Sequence, residues 1–306
     1  MPSIQTPLGS LPARFRRPRV LIAGCGDVGQ RAVKLLKTAR VMALTSSPDK
    51  RLALRALGVV PLLGNLDDAT SLSRLSGLAT HVLHLAPPLA SRGVIDLRTQ
   101  AFLRALRRRA APQALVYGST SGVYGDCGGA LVNERQPTRP QTARAVLRVD
   151  AEKLVNSFGR ATGVRTCVLR IPGIYAPDRD GGTPKARLER GTPVLTSSDD
   201  VYTNHIHADD LARACVIALW RCKARRTYNV NDNTQLKMGD YFDLAADLYG
   251  LPRPPRVSRA EAADQLAPMT LSFMGESRRM DNGRLKLDLR LQLRYPTVAQ
   301  GLIERI

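Results

Sequence analysis

The densest chemical signal in the chain is Gly24-Cys25-Gly26-Asp27-Val28-Gly29, three glycines spaced G-x-G-x-x-G. Glycines at this spacing carry a strand sharply into a helix. Gly24 allows the tight turn, Gly26 lets the backbone approach a pyrophosphate, and Gly29 lets helix and strand pack closely. The first N–H groups of the helix then face the phosphates, with Asp27 and Val28 in the same turn. About twenty residues on, where a carboxylate for ribose hydroxyls is expected, the sequence has Leu44-Thr45-Ser46-Ser47 with Lys50 and Arg51 close behind. Hydroxyls and cations without an acid suit a 2′-phosphate, so the cofactor reads as NADP, with NAD left open. The plain alternative for the two cations is the solvated face of the next helix.

Other reactive side chains narrow the chemistry by what they fail to form. Cys25, Cys127, Cys167, Cys215 and Cys222 are odd in number and include no C-x-x-C pair, so neither a disulfide framework nor a zinc site is indicated. His205 and His207, two residues apart on an expected strand, read as local packing rather than as metal ligands.

The elements that must position the glycine loop follow from hydrophobic spacing. Val20-Leu21-Ile22-Ala23 reads as a buried parallel strand, and Val28, Ala32, Val33, Leu35 and Leu36 recur at helical spacing after it. The pattern predicts further strands at 41–44, 59–62, 81–85 and 114–117, with helices at 48–57, 70–78 and 93–110. A glycine-rich loop at 122–140, a helix at 142–159 and a strand at 165–171 come next. Such alternation with short links implies a parallel sheet covered on both faces by right-handed crossovers. After Pro172 the alternation loosens: a glycine-rich stretch at 180–192, a strand near 203–207, a helix over 208–221, a strand at 227–230, then helices broken by Pro252, Pro254 and Pro255.

The expected fold class is α/β, a Rossmann-type doubly wound parallel sheet with a smaller C-terminal α+β substrate lobe. Residues 19–172 form the dinucleotide-binding domain. Residues 173–306 form mainly the capping lobe, with 203–230 returning to the first domain. Residues 1–18, basic and without an acid, read as a disordered leader, an arginine-rich transit peptide being the alternative.

Composition sets outer limits. Of 306 residues 43% are hydrophobic and 24% charged, as in ordinary globular proteins. No stretch approaches the ~18 apolar residues of a membrane span, and residues 1–19 lack a secretory core, so a cytoplasmic protein is expected. The net charge of +20 raises the question of a polyanionic partner. Arg104, Arg107, Arg108 and Arg109 fall toward the end of one expected helix, and Arg221, Lys223, Arg225 and Arg226 follow another, where cations oppose the helix dipole. Aromatics are 5% and not interleaved with these runs, so a nucleic-acid partner is not favoured and a surface that collects anionic cofactors and metabolites is.

Several strings, in order over roughly residues 19–305, resemble the extended or atypical short-chain dehydrogenase/reductases, the group that includes NAD(P)-dependent epimerase/dehydratase proteins. Gly64-Asn65-Leu66-Asp67 is similar to the family's adenine-contacting turn, with Asn65 where an Asp is usual. His84-Leu85-Ala86-Pro87-Pro88 resembles the segment beside the nicotinamide ribose. Ser119-Thr120-Ser121-Gly122-Val123-Tyr124-Gly125 resembles the S-[ST]-x-x-V-Y-G active-site strand. Leu169 to Tyr175, with Pro172, resembles the segment that meets the nicotinamide, and Asn204 to Asp210 the start of a second-lobe helix.

The resemblance implies a cofactor site at Gly24, Gly26, Asp27, Val28, Gly29, Thr45, Ser46, Asn65, Leu66, Leu85, Ala86, Pro87, Arg148 and Pro172. It also implies a Tyr-x-x-x-Lys pair whose Lys stands four residues before Glu152, where the chain has Arg144-x-x-x-Arg148 instead. Guanidinium does not deprotonate in the relevant range, so Arg144 cannot be a general base, whereas Arg148 could still hold ribose hydroxyls. Thr120 matches the substrate-positioning hydroxyl. Tyr124 is the nearest replacement for the lost tyrosine by sequence and Tyr175 the next, each also readable as a packed ring with its hydroxyl bonded. Catalytic candidates are therefore Thr120, Tyr124, Arg144 and Arg148. The two arginines share a helix face and would make an anion site beside the nicotinamide. The expected function is an NAD(P)-binding oxidoreductase or epimerase/dehydratase-type enzyme with a non-standard acid/base group and a small anionic or sugar-like substrate. A non-catalytic NAD(P)-binding redox sensor is the alternative, and a homodimer is left open.

Overall fold

A computed structural model of the chain describes residues 17–89 and 93–303, so nearly all of the expected leader lies outside the described residues. Seven strands form one parallel sheet: β1 (Arg19–Ala23), β2 (Arg40–Thr45), β3 (Val60–Leu63), β4 (His81–His84), β5 (Ala114–Thr120), β6 (Arg165–Ile171) and β7 (Arg226–Asn229). Their order is β7-β6-β5-β4-β1-β2-β3. Val20 of β1 pairs with Val41 on one side and His81 on the other, so the chain reverses its winding direction between β1 and β4. An open α/β sheet binds its ligands outside the carboxyl ends of the strands at such a switch point.

Burial on both faces explains why the strands read as continuous apolar runs. Val20 and Ile22 face one layer with Ala32, Val33, Leu211 and Cys215, while Leu21 and Ala23 face the other with Phe102, Leu106 and Val155. The helices that supply those layers are α1 (Asp27–Leu35), α2 (Lys50–Ala56), α3 (Leu97–Arg107), α4 (Ala143–Thr162), α5 (Lys185–Glu189), α6 (Ala208–Arg221) and α7 (Met238–Tyr249). A third apolar cluster, with Tyr175, Leu188, Val194, Tyr241 and Phe242, joins α5 and α7 into a lobe beside the strand ends.

Local chemistry corrects several expected boundaries. The helix expected over 93–110 starts at Leu97, because the Asp96 carboxylate accepts the Thr99 N–H at 3.1 Å and caps it. The helix expected at 70–78 is a 3-10 helix over 69–75. Helix α4 runs past 159 to Thr162, from the Thr142 cap (Ala145 N–H, 3.2 Å) to Gly163 at φ +71°. The basic run after α6 is partly structural: Lys223 and Arg226 converge on Asp288 at 2.6 and 3.4 Å. All five cysteines are free, and the described residues hold no cluster suited to a metal. Among the described residues no helix is long and apolar enough to cross a membrane.

Candidate active site

Where β1 ends, the three glycines differ in the room that their backbone leaves for a side chain. Gly24 sits at φ +89°, and a Cβ there would lie within 2.7 Å of Ala86 Cα, against the backbone that follows β4. Gly29 packs so closely that a Cβ would stand 3.1 Å from the Gly24 carbonyl oxygen. Gly26 differs from both. It has φ −82°, caps α1 without a side chain, and a Cβ on it would meet no atom within 4 Å. The backbone N–H groups of the first turn of α1 have no intrahelical partner and look onto that space.

The space belongs to a cavity of about 750 Å³ at the strand ends. Its lining includes Gly24, Gly26, Asp27, Val28 and Gly29 on one side, Leu85, Thr120, Arg144, Arg148 and Pro172 across from them, and residues of the α5–α7 lobe beyond. The glycine loop, the uncapped helix start and the open Gly26 position fit the pyrophosphate of a dinucleotide. The Asp27 side chain does not reach for a ligand: it pairs with Arg31 at 3.0 Å and Arg179 at 3.3 Å. Arg31 also binds Asp178 of the loop before α5 and Asp209 of α6, at 2.7 and 2.6 Å, tying the glycine helix to the lobe.

The opposite wall is braced from behind. Glu152 of α4 is buried, accepts the Ser119 hydroxyl at 2.6 Å, and binds Arg170 of β6 through 3.2 and 2.8 Å contacts. Burial works against the Arg170 charge, and the hydrogen bond and charge of Glu152 outweigh it, holding the guanidinium firmly protonated. In front of this brace Thr120 accepts the Gly122 N–H at 3.3 Å, so its hydroxyl proton can point to a ligand oxygen. Arg148 donates to the Gly118 carbonyl and, at 3.0 Å, to the Tyr117 hydroxyl, while its Nε is buried with no protein partner. Burial, reinforced by the Arg148 charge, pulls His84 below it down to about 3, so that imidazole is neutral.

The structure corrects one catalytic candidate and adds two groups. Tyr124 is fully buried and absent from the cavity lining; its hydroxyl donates to Asn229 at 2.7 Å, its ring packs under Arg170, and burial raises its pKa. Tyr175 borders the cavity, but its hydroxyl donates to the Thr297 carbonyl at 3.3 Å and burial raises its pKa well above the ordinary tyrosine value. Sequence reading missed Glu276, which lines the cavity beside Thr120. Glu276 Oε2 and the Thr120 methyl would each lie 3.8 Å from a Cβ placed on Gly122. One carboxylate oxygen of Glu276 accepts from Arg278 at 2.9 Å and the other is buried with no hydrogen-bond partner. His205 also lines the cavity, its ring tilted against Tyr241 with centroids 4.2 Å apart, and burial lowers it to about 4.

The remaining expected cofactor residues lie outside this cavity's lining. Thr45 accepts the Ser47 N–H at 3.2 Å and Ser46 is exposed at the end of β2. Asn65 accepts the Asp67 N–H at 3.0 Å in a turn whose Asp67 binds Arg98. Leu66 packs on the second core layer and borders a separate depression with Ile95 and Leu97. Ala86 is buried against Gly24, and the Pro87 carbonyl accepts from Arg98 at 3.3 Å.

The model of the NAD dependent epimerase/dehydratase family matches residues 20–231. The UDP-glucose 4-epimerase of Azospirillum brasilense is 27% identical over 241 residues, 66% of this chain and 68% of that protein. A conserved protein of unknown function from Silicibacter pomeroyi DSS superposes with a TM-score of 0.78 at 30% identity, covering 93% of this chain and 96% of that one. MoeE5, solved with UDP-glucose and NAD, gives a TM-score of 0.72 at 22% identity over 93% and 96% of the two chains, a likeness of fold.

Proposed function

We propose that this chain, which belongs to the NAD dependent epimerase/dehydratase family, is an NADP-binding enzyme that carries out oxidoreductase or epimerase/dehydratase-type chemistry on a small anionic or sugar-like substrate. The observation that carries this reading is the cavity itself: the open face of Gly26, the Thr120 hydroxyl and the Arg148 guanidinium share one space at the switch point of the sheet. When bound, a nicotinamide supplies the hydride acceptor or donor.

The chain's own groups then divide the remaining work. Thr120 donates to the substrate oxygen that gains or loses a proton. Arg148, fixed on the β5 carbonyl, supports the end of that strand and keeps a fixed positive charge at the site. Arg144, on the cavity side of α4, attracts an anionic group and cannot take a proton. Glu276 fits the acid/base task that the arginines cannot perform. It stands beside Thr120, is held by Arg278, and keeps one oxygen without a protein partner. The preference for NADP rests on the acid-free Thr45-Ser46-Ser47 turn with Lys50 and Arg51 exposed after it.

Titration with NADP and NAD, followed by nicotinamide-absorbance assays on UDP-glucose and on small hydroxy acids, tests the reading. Turnover that falls by about 10²–10⁴-fold in Glu276→Gln while dinucleotide affinity holds is the expected result. A protein that binds the dinucleotide and turns over nothing is the non-catalytic sensor. That second reading is favoured by one observation, the arginines at both positions of the family's Tyr/Lys pair.

A further inference from the structure

The α5–α7 lobe places another cation on the cavity, one that the proposed chemistry leaves unused. Arg187 of α5 lines the same space, with its guanidinium carbon 4.4 Å above the Phe242 ring. Its Nη2 is buried and hydrogen-bonds to no protein group. Among the described residues no carboxylate comes within ion-pair distance of it, and three acids of the lobe are engaged elsewhere. Asp243 binds Arg256, Asp247 binds Arg253, and Asp178 binds Arg31. The two acids on the cavity lining are also committed, Asp27 to Arg31 and Arg179, and Glu276 to Arg278. Burial, together with the like charge of Arg190, lowers the pKa of Arg187.

A half-buried guanidinium with no counter-ion is costly to keep, and aromatic stacking offsets that cost only in part. The cost falls when an anion enters, and a guanidinium offers planar, paired donors suited to an oxyanion. We propose that Arg187 is the anion subsite of the lobe, taking the phosphate or carboxylate group of a ligand whose reacting end lies at Thr120 and Glu276. This deepens the proposed function and rests on it for the placement of the reacting end. The site itself stands on Arg187, Phe242 and the cavity.

The probes are inorganic phosphate and acetate, titrated at constant ionic strength against chloride, with and without saturating dinucleotide. Calorimetry and thermal unfolding are the readouts. Wild-type protein should bind one of the two anions and gain thermal stability from it. Arg187→Met should lose about tenfold or more of that affinity at unchanged dinucleotide affinity, Arg187→Lys should keep part of it, and the exposed neighbour variant Arg190→Met should keep most of it. Phosphate alone as the stabilising ion assigns a phosphoryl group, and acetate alone a carboxylate. If Arg187→Met does not fold, Arg187→Gln takes its place. Anion binding unchanged in the Arg187 variants, or no anion effect on the wild type beyond that of chloride, overturns the subsite. A failure of dinucleotide binding alone overturns the cofactor reading and leaves the anion titration readable.

Discussion

The two walls of the cavity are built by different means. The glycine-loop wall is backbone and open space, and its specification lies in missing side chains at Gly24, Gly26 and Gly29. The β5–α4 wall is side-chain chemistry on a buried brace: Thr120 and Arg148 in front, the Ser119–Glu152–Arg170 cluster behind. Backbone geometry admits few substitutions, so the first wall keeps three glycines, in a loop one residue shorter than the G-x-x-G-x-x-G of the extended proteins it resembles. Side-chain chemistry can be exchanged while the brace stays in place, and the second wall is where Arg144 and Arg148 line the cavity. The proposed cofactor site and the proposed reaction chemistry thus lie on separable parts of one fold.

Breaking the first wall should have the largest effect. Gly24→Val adds a branched side chain at positive φ against the Leu85–Ala86 backbone, and should cost about 4 kcal/mol or more in urea unfolding. A Gly24→Val protein as stable as wild type would show that this wall has room to give. Next comes the brace of the second wall. Glu152→Gln leaves the buried Arg170 guanidinium without its charge partner and should cost about 3 kcal/mol. A loss well below 1 kcal/mol would mean that the cluster is not what holds β5 and β6 against α4.

A smaller effect, with a pH signature, belongs to the lobe side. Asp232 is buried near Tyr175, accepts the Thr234 N–H at 2.8 Å, and is raised by burial to about 7. The folded chain therefore keeps a proton that the unfolded chain gives up between about pH 4 and 7. Its contribution to stability falls as pH rises through that window, and the cost is complete above about pH 7. Asp232→Asn should gain roughly 1–3 kcal/mol at about pH 8 and nothing near pH 4, by chemical denaturation at both. The smallest effect sharpens the cofactor side: Ser46→Asp puts a carboxylate at the end of β2 and should swing the NADP-to-NAD affinity ratio by about tenfold toward NAD. An unchanged ratio would make Lys50 and Arg51 surface charge only.

What was legible in the sequence follows the same division. The glycine loop and the central strands announce themselves through local signals, apolar runs and glycine spacing, because their physics is local. Of the three two-stranded parallel ribbons, 173–175 with 205–207, 194–195 with 256–257 and 131–132 with 279–280, only the strand at 205–207 gave a signal, within the run expected near 203–207. Elements of two or three residues have no period, and their partners lie up to 148 residues away in the 131–132 and 279–280 pair. Glu276 and Arg187 were missed for a related reason. Each sits in a segment with no motif around it, Arg187 among Lys185, Glu189 and Arg190 and Glu276 just before Arg278 and Arg279, and only the packing of the lobe against the sheet brings it to the cavity. Tyr124 became a catalytic candidate because the string around it resembles an active-site strand, and its other reading, a packed ring with its hydroxyl bonded, is the one found, since Asn229 of the edge strand β7, distant in sequence, takes that hydroxyl.

The central claim is that a dinucleotide lays its pyrophosphate against Gly26. Isothermal titration of wild type and Gly26→Val with NADP and NAD, with melting temperatures taken on the same samples, tests it most directly. A valine at φ −82° meets no protein atom within 4 Å at its Cβ, so the variant should fold and melt within a few degrees of wild type. Its side chain would fill the pyrophosphate space, and affinity should drop by about a hundredfold or more, at least 2.7 kcal/mol by the relation between affinity and free energy. A well-folded Gly26→Val protein that binds NADP and NAD as tightly as wild type would contradict the account.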